Sequence, residues 1–290
     1  MKLILAQPSI KRFQWELEVL LTNLRQFGQF EVVLLFTQHD FTVAGHFRIH
    51  YPECEVHVYP DERDNKSYIP SVRPWLWWKY LSEDKTRENE QYLYIDSDVI
   101  FREWLDFTAI GADANTWAGS DCGSYIDYDY ITGCENGTAI AERMAAITGI
   151  TVDQMKGVPG AGAQWVITNP TAEYWKRVYE DSNRIWLYFS GVNSNIQKWT
   201  AEMWAQLWGM VREGKTVVMP KELDFIMSTN PVEDWDKVKI LHNAGVTGSD
   251  DGWFFKGMFT DQTPLGQDWS HIRTDKATIK YVEALQKVVI

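Results

Sequence analysis

Cysteine is scarce. Cys54, Cys122 and Cys134 are the three in 290 residues, widely spaced and with no CxxC pair. This excludes a paired disulfide framework, and the three read as reduced thiols, which places the chain in the cytoplasm. Positive charge is also short. Twenty-eight Lys and Arg against 40 Asp and Glu leave a net charge of −12 and a pI near 5.0. A broad electrostatic grip on duplex nucleic acid or on an anionic membrane is thereby disfavoured, while a local basic pocket is not. No apolar run approaches the roughly eighteen residues a membrane span needs. The opening "MKLILAQPSIKRF" has an apolar stretch too short for a signal peptide and is better read as a first strand. Internal repeats, low-complexity tracts and linkers rich in Pro, Gly or Ser are missing as well, so one continuous domain over 1–290 is expected.

What remains is the composition of a folded globular chain, 45% apolar and 23% charged, with one excess: fifteen Trp. Such a number reads first as core packing and second as platforms for flat ligands, with Trp75, Trp77 and Trp78 a local cluster. The first hundred residues alternate in period. Lys2 to Ala6 is a short apolar run, "FQWELEVLLTNLRQFG" repeats apolar residues at helical spacing and stops at Gly28, and "FEVVLLFT" over 30–37 is a second β run. "CEVHVYP" makes a third, the helical "VRPWLWWKYLSED" follows, and "QYLYI" is a fourth. Strand, helix, strand with continuously apolar strands predicts an α/β fold, a central mostly parallel sheet flanked by helices. Later, "AQWVITN", "TVVMP" and "KVKILHN" read as strands. Helices are expected at Ala139 to Ile147 and in "TAEYWKRVYED", "KWTAEMWAQLWGMVREG" and "ATIKYVEALQKV".

Asp96-Ser97-Asp98 sits between the apolar "YLYI" and "VIF". Twenty-one Asp make such triplets unremarkable. Asp127-Tyr128-Asp129 and Asp234-Trp235-Asp236 are two more, both in polar, turn-rich stretches that read as surface. The first triplet differs in context, because ligands in α/β sheets sit at the carboxyl ends of strands. Carboxylates two positions apart in an extended segment point to one side, so both reach one divalent cation. Magnesium or manganese suits oxygen ligands shared with a diphosphate, and the other reading is a structural acidic turn. Of the six His, His39, His46, His50, His57 and His271 fit structural roles. His242 ends a strand and opens "HNAGVTGSDDGWFFKG", whose glycines allow close backbone approach to phosphate and whose Lys256 adds a point charge.

An α/β half, an Asp-x-Asp after its fourth strand and a late His in a Gly-containing loop together resemble the metal-dependent glycosyltransferases of GT-A fold. The likeness is greatest to the glycogenin-like and lipopolysaccharide galactosyltransferase-like group. It implies a single GT-A-type nucleotide-binding domain, 1–110 being the nucleotide-binding half and 111–290 the acceptor and metal-loop half. By resemblance Asp96, Asp98 and His242 hold Mn2+ (or Mg2+) against the diphosphate of a nucleotide-sugar donor, a UDP-sugar first of all, with Ser97 beside the nucleotide. "VPGAGAQWVITN" takes the place of a family stretch that carries an Asn, absent here, and Gln164 becomes the polar residue facing the sugar. Glu202 matches an acid at the start of a later helix; as a residue it equally fits a first-turn acid favoured by the helix dipole. Arg73, Gly245 and Lys256 are candidates for phosphate, Lys256 lying further from its glycine than in the family. Gln7, Pro8 and Ser9, where a base-binding loop begins, and Asp61, after the third strand, are candidates for base or ribose.

The implied activity is transfer of a hexose to an acceptor hydroxyl on a glycan, a protein or a modified base. Retention of configuration is the family expectation, and Glu202 as a general base would give inversion instead. Two other readings stand beside it. A sugar-phosphate nucleotidyltransferase would carry a Gly-rich basic loop after its first strand, where this chain has "AQPSIKR". A carbohydrate-binding protein on the same fold would bind glycans without metal or nucleotide.

Overall fold

The computed structural model describes residues 1–289. Among the described residues ten strands are present: β1 Lys2–Pro8, β2 Val32–Thr37, β3 Cys54–Tyr59, β4 Gln91–Tyr94, β5 Val99–Phe101, β6 Thr116–Asp121, β7 Ala161–Thr168, β8 Thr216–Val218, β9 Phe225–Met227 and β10 Ile240–His242. The helices that matter below are α1 Lys11–Leu24, α2 Phe41–His50, α3 Val72–Glu83, α4 Gly137–Thr148, α5 Ala172–Ser190, α6 Ala201–Arg212 and α7 Thr278–Leu285. The larger sheet runs β3-β2-β1-β4-β7-β6-β8, and a three-stranded sheet runs β5-β10-β9. This is the α/β architecture the alternating periods predict. Contacts divide the chain into two compact units, one of Met1–Lys2, Tyr59–Tyr94 and Phe107–Lys221, the other of Leu3–Val58, Ile95–Asp106 and everything from Glu222 onward.

In the second of these units β1 and β2 pair in parallel from Leu3 opposite Val32 to Pro8 opposite Thr37. Their side chains are almost all buried, as two covered faces require. Helix α1 is buried nearly all round, so it is a central helix and not a surface one. Its Trp15 packs edge-on to Phe254 and Phe259 and donates its indole N–H to the Phe259 carbonyl at 3.0 Å. Ile100, Ile226, Leu241 and Tyr281 join the same core, which ties the small sheet to α1 and α7. Strand β5 pairs with β10 on one edge only. Asn23 of α1 completes the other: its amide donates to the Phe101 carbonyl at 2.9 Å and accepts from the Phe101 N–H at 2.8 Å. Gly28, the stop expected from sequence, takes φ +128° between α1 and β2.

The other unit is held by aromatic packing. β7 runs antiparallel to both β4 and β6, while β6 and β8 are parallel. Trp77 of α3 stacks on Trp175 of α5 at 4.8 Å and meets Tyr92 of β4 edge-on at 5.1 Å. Eight Trp are fully buried among the described residues, so core packing is the use made of most of them. Strand β6 was not expected, because "TWAGSD" has no apolar run. Its Gly119 lies under the Trp165 ring, where an added Cβ would stand 2.9 Å from ring carbons.

Candidate metal centre

Two neighbouring segments of the small sheet bring the site together. β10 pairs antiparallel with β5, His242 opposite Val99. That register sets Asn243 beside Asp98, and the Asn243 N–H donates to the Asp98 carbonyl at 2.8 Å. The imidazole therefore meets the acidic turn: His242 Nε2 lies 3.3 Å from Asp98 Oδ1 and 3.5 Å from Asp96 Oδ2. One ligand atom from each of Asp96, Asp98 and His242 falls within 4.8 Å of the others. Among the described residues no other group of three or more His, Cys, Asp and Glu does so. Two carboxylates and an imidazole are a donor set that divalent metal ions take. The residues present fit a divalent cation.

The two aspartates differ in surroundings. Asp98 is 3% exposed, whereas the Asp96 side chain is 42% exposed. Lys256 donates to the second carboxylate oxygen of Asp98. Burial pushes the Asp98 carboxyl up, but the Lys256 ammonium and His242 outweigh it and hold the group well below the usual carboxylate range. Burial lowers His242, and the two aspartates more than reverse that, so its net shift is upward. Asp98 is thus held ionised, its charge met by Lys256 and His242.

Beneath the turn lies a carboxylate that sequence reasoning missed. Glu16 of α1 is fully buried. It accepts from the Ser97 hydroxyl at 2.5 Å and from Arg12 Nε at 2.7 Å. Burial is the main reason its carboxyl is raised, with Arg12 opposing. Ser97, between the two metal candidates, is 5% exposed and spends its hydroxyl on Glu16. No periodic signal marks Glu16, because it stands among "WELEVLL", where every neighbour is buried too.

The remaining candidates fall into local sets. In the unit that holds the metal candidates, Gln7 donates to the Leu35 carbonyl at 3.4 Å, and Pro8 pairs with Thr37. Ser9 Oγ accepts from the His39 and Asp40 amides at 2.8 and 3.2 Å. Gly245, at φ +87°, lines a cavity of ≈ 280 Å³ with Thr229, Thr247, Asp251 and Trp253. In the other unit Arg73 is ion-paired with Glu202 and lies 4.9 Å over the Tyr94 ring. Gln164 is buried and accepts from Ser120 Oγ at 2.6 Å. Asp61 is held by Arg63 through two bonds of 2.9 Å; burial raises its carboxyl and Arg63 brings it below the usual range. The other two Asp-x-Asp triplets act locally: Asp127 accepts from the Tyr130 N–H at 2.7 Å at a helix start, and Asp234 pairs with Lys237 at 2.6 Å.

No family model matches the chain, and no curated protein matches it in sequence. Solved structures match in fold. One is the galactosyltransferase LgtC in complex with donor and acceptor sugar analogues, with a TM-score of 0.55 and 15% identity over 100% of this chain and 97% of that one. An active-site mutant of LgtC gives 0.54 and 13% with the same coverage. At such identities the likeness is one of fold, and it is the GT-A-type fold that the sequence resemblance implies. No helix among the described residues is long and apolar enough to cross a membrane.

Proposed function

We propose that this chain is a glycosyltransferase that moves a hexose from a nucleoside diphosphate sugar, a UDP-sugar first of all, to an acceptor hydroxyl, with manganese as its cofactor. The observation that carries the reading is the meeting of Asp96, Asp98 and His242 within 4.8 Å in a chain whose fold is similar to that of LgtC. When bound, a divalent cation there would neutralise charge on the diphosphate as the bond to the sugar breaks. Asp98 is the anchored ligand, buried and oriented by its neighbours, and Asp96 the solvent-facing one. Lys256, on the Asp98 carboxylate, is within reach of any phosphate that shares the cation. Gln164 and Glu202 as sugar-facing groups, Arg73 and Gly245 toward phosphate, and Gln7, Pro8, Ser9 and Asp61 toward the nucleoside rest on the sequence resemblance. The three free cysteines accord with a reducing compartment.

Calorimetric titration of UDP with and without manganese tests the core of this, followed by a screen of nucleotide sugars for manganese-dependent hydrolysis. UDP should bind in the presence of the metal, and at least one donor should be hydrolysed. Turnover of Asp98→Asn at the wild-type rate would reject the metal assignment, and glycan binding with no affinity for UDP would reject the transferase reading in favour of a carbohydrate-binding protein.

A further inference from the structure

The stretch Asn193-Ser194-Asn195-Ile196-Gln197-Lys198-Trp199, between α5 and α6, alternates in exposure. Asn193, Asn195, Gln197 and Trp199 are exposed, and the residues between them are half-buried or buried. The outer row is three amides and an indole, with no charge. Lys198, the one cation of the stretch, turns inward and donates to the Val192 carbonyl at 2.6 Å.

The backbone that carries the indole is held by a buried phenol. Trp199 is 54% exposed, yet its carbonyl accepts from the Tyr68 hydroxyl at 2.8 Å. Tyr68 is itself 1% exposed and stacks on Trp186 of α5 at 4.6 Å with the rings 14° from parallel. The same hydroxyl accepts from the Glu202 N–H at 2.8 Å, and Glu202 is ion-paired with Arg73. Through one buried phenol, the backbone of Trp199 is thus tied to the backbone of an acid that the proposed function places toward the sugar. Ile69 and Leu187, each next in sequence to a member of the Tyr68–Trp186 stack, are 53% and 73% exposed.

We infer that this row is an acceptor subsite for a neutral glycan: Trp199 takes the C–H face of a pyranose ring, and Asn193, Asn195 and Gln197 bond its hydroxyls, Asn195 through its amide N–H groups because its Oδ1 accepts from the Glu135 N–H at 3.0 Å. The inference rests on the glycosyl-transfer reading and names the acceptor class. Aromatic rings offer an apolar face to a sugar's C–H groups, and amides both donate and accept, as hydroxyls do. An anionic acceptor would call for Lys or Arg in the outer row, and none is there. A lipid surface would leave the three amides without matching groups.

The test is saturation-transfer NMR and titration of the full chain with lactose, maltose and cellobiose, on wild type, Trp199→Ala, Trp199→Phe and Gln197→Ala. At least one disaccharide should bind wild type. Trp199→Ala should weaken it roughly five- to tenfold, Trp199→Phe should restore most of the loss, and Gln197→Ala should weaken it less. No binding of any disaccharide by wild type overturns the inference, as does equal binding by Trp199→Ala. Binding of phosphatidylcholine vesicles that depends on Trp199 in place of sugar binding would also overturn it. Manganese-supported UDP binding by the wild type, measured alongside, separates the two ideas. Its absence rejects the donor reading, whereas intact UDP binding with disaccharide binding indifferent to Trp199 rejects this inference alone.

Discussion

Replacing Asp98 by Asn removes a charge from a carboxylate that is 3% exposed and already engaged by Lys256 and His242. The lost oxygen charge cannot be replaced by water at a buried position, whereas at Asp96, 42% exposed, it can. Asp98→Asn should therefore cost more manganese affinity than Asp96→Asn. It should also exceed the roughly 10- to 100-fold expected of Glu16→Gln, which touches the turn only through Ser97. Manganese titration of the three variants checks the order, and an equal loss at all three would show that the burial difference is irrelevant. A second residue supplies a pH prediction. Burial pushes the Cys54 thiol up to about 12, with Glu53 adding to it. At pH 8 only about one Cys54 in ten thousand is thiolate, against about a quarter for an ordinary thiol. Iodoacetamide at pH 8 should label half-buried Cys134 first and leave Cys54 intact until the chain unfolds, with Cys54 labelling rising as pH approaches 12. Mass spectrometry of the labelled peptides reads this directly, and early labelling of Cys54 would contradict it.

At the scale of elements, β5 is the strand that presents Asp98, and its free edge is closed by one side chain. Asn23→Ala removes both bonds to Phe101, which leaves a buried N–H and C=O unmade at a cost of about 1–3 kcal/mol. Urea unfolding should show that loss, and manganese affinity should fall with it, because Asp98 directly precedes Val99. A stability loss with unchanged metal affinity would mean that β10 alone positions the turn. This device also marks the limit of what the sequence disclosed. The Asp-x-Asp segment stood out because a strand with an apolar run on each side is a local pattern. The β1, β2 and β4 runs were legible for the same reason. Strand β6 and the short β9 were not, since what makes them strands is pairing with β7, β8 and β10, far away along the chain. Gly119 is small because Trp165 covers it, a reason that no window around residue 119 contains. Glu16 and Asn23 escaped similarly: each is a polar residue in a helix that is buried almost throughout, and their partners, Ser97 and Phe101, lie in another segment.

Over the whole molecule, the unit that carries the metal candidates is assembled from three separate stretches, Leu3–Val58, Ile95–Asp106 and the chain from Glu222 onward. Asp96 and Asp98 belong to the second stretch and His242 to the third. A cation that needs all three side chains can bind only after those stretches have come together, so binding free energy adds to folding free energy. A ligand at one hundred times its dissociation constant stabilises by about 2.7 kcal/mol, and for a chain of this size each kcal/mol moves a melting midpoint by roughly 2 °C. Manganese with UDP at that concentration should therefore raise the melting midpoint of the chain by about 5 °C. EDTA should return it to the starting value, and UDP added after EDTA should leave it there. Asp98→Asn supplies the control: its own midpoint without ligand sets the baseline, and manganese with UDP should scarcely move it. A shift of equal size in wild type and Asp98→Asn would mean that the metal binds somewhere other than this acidic turn, because the two unfolded chains differ by only one of 40 Asp and Glu side chains and only the folded site distinguishes them.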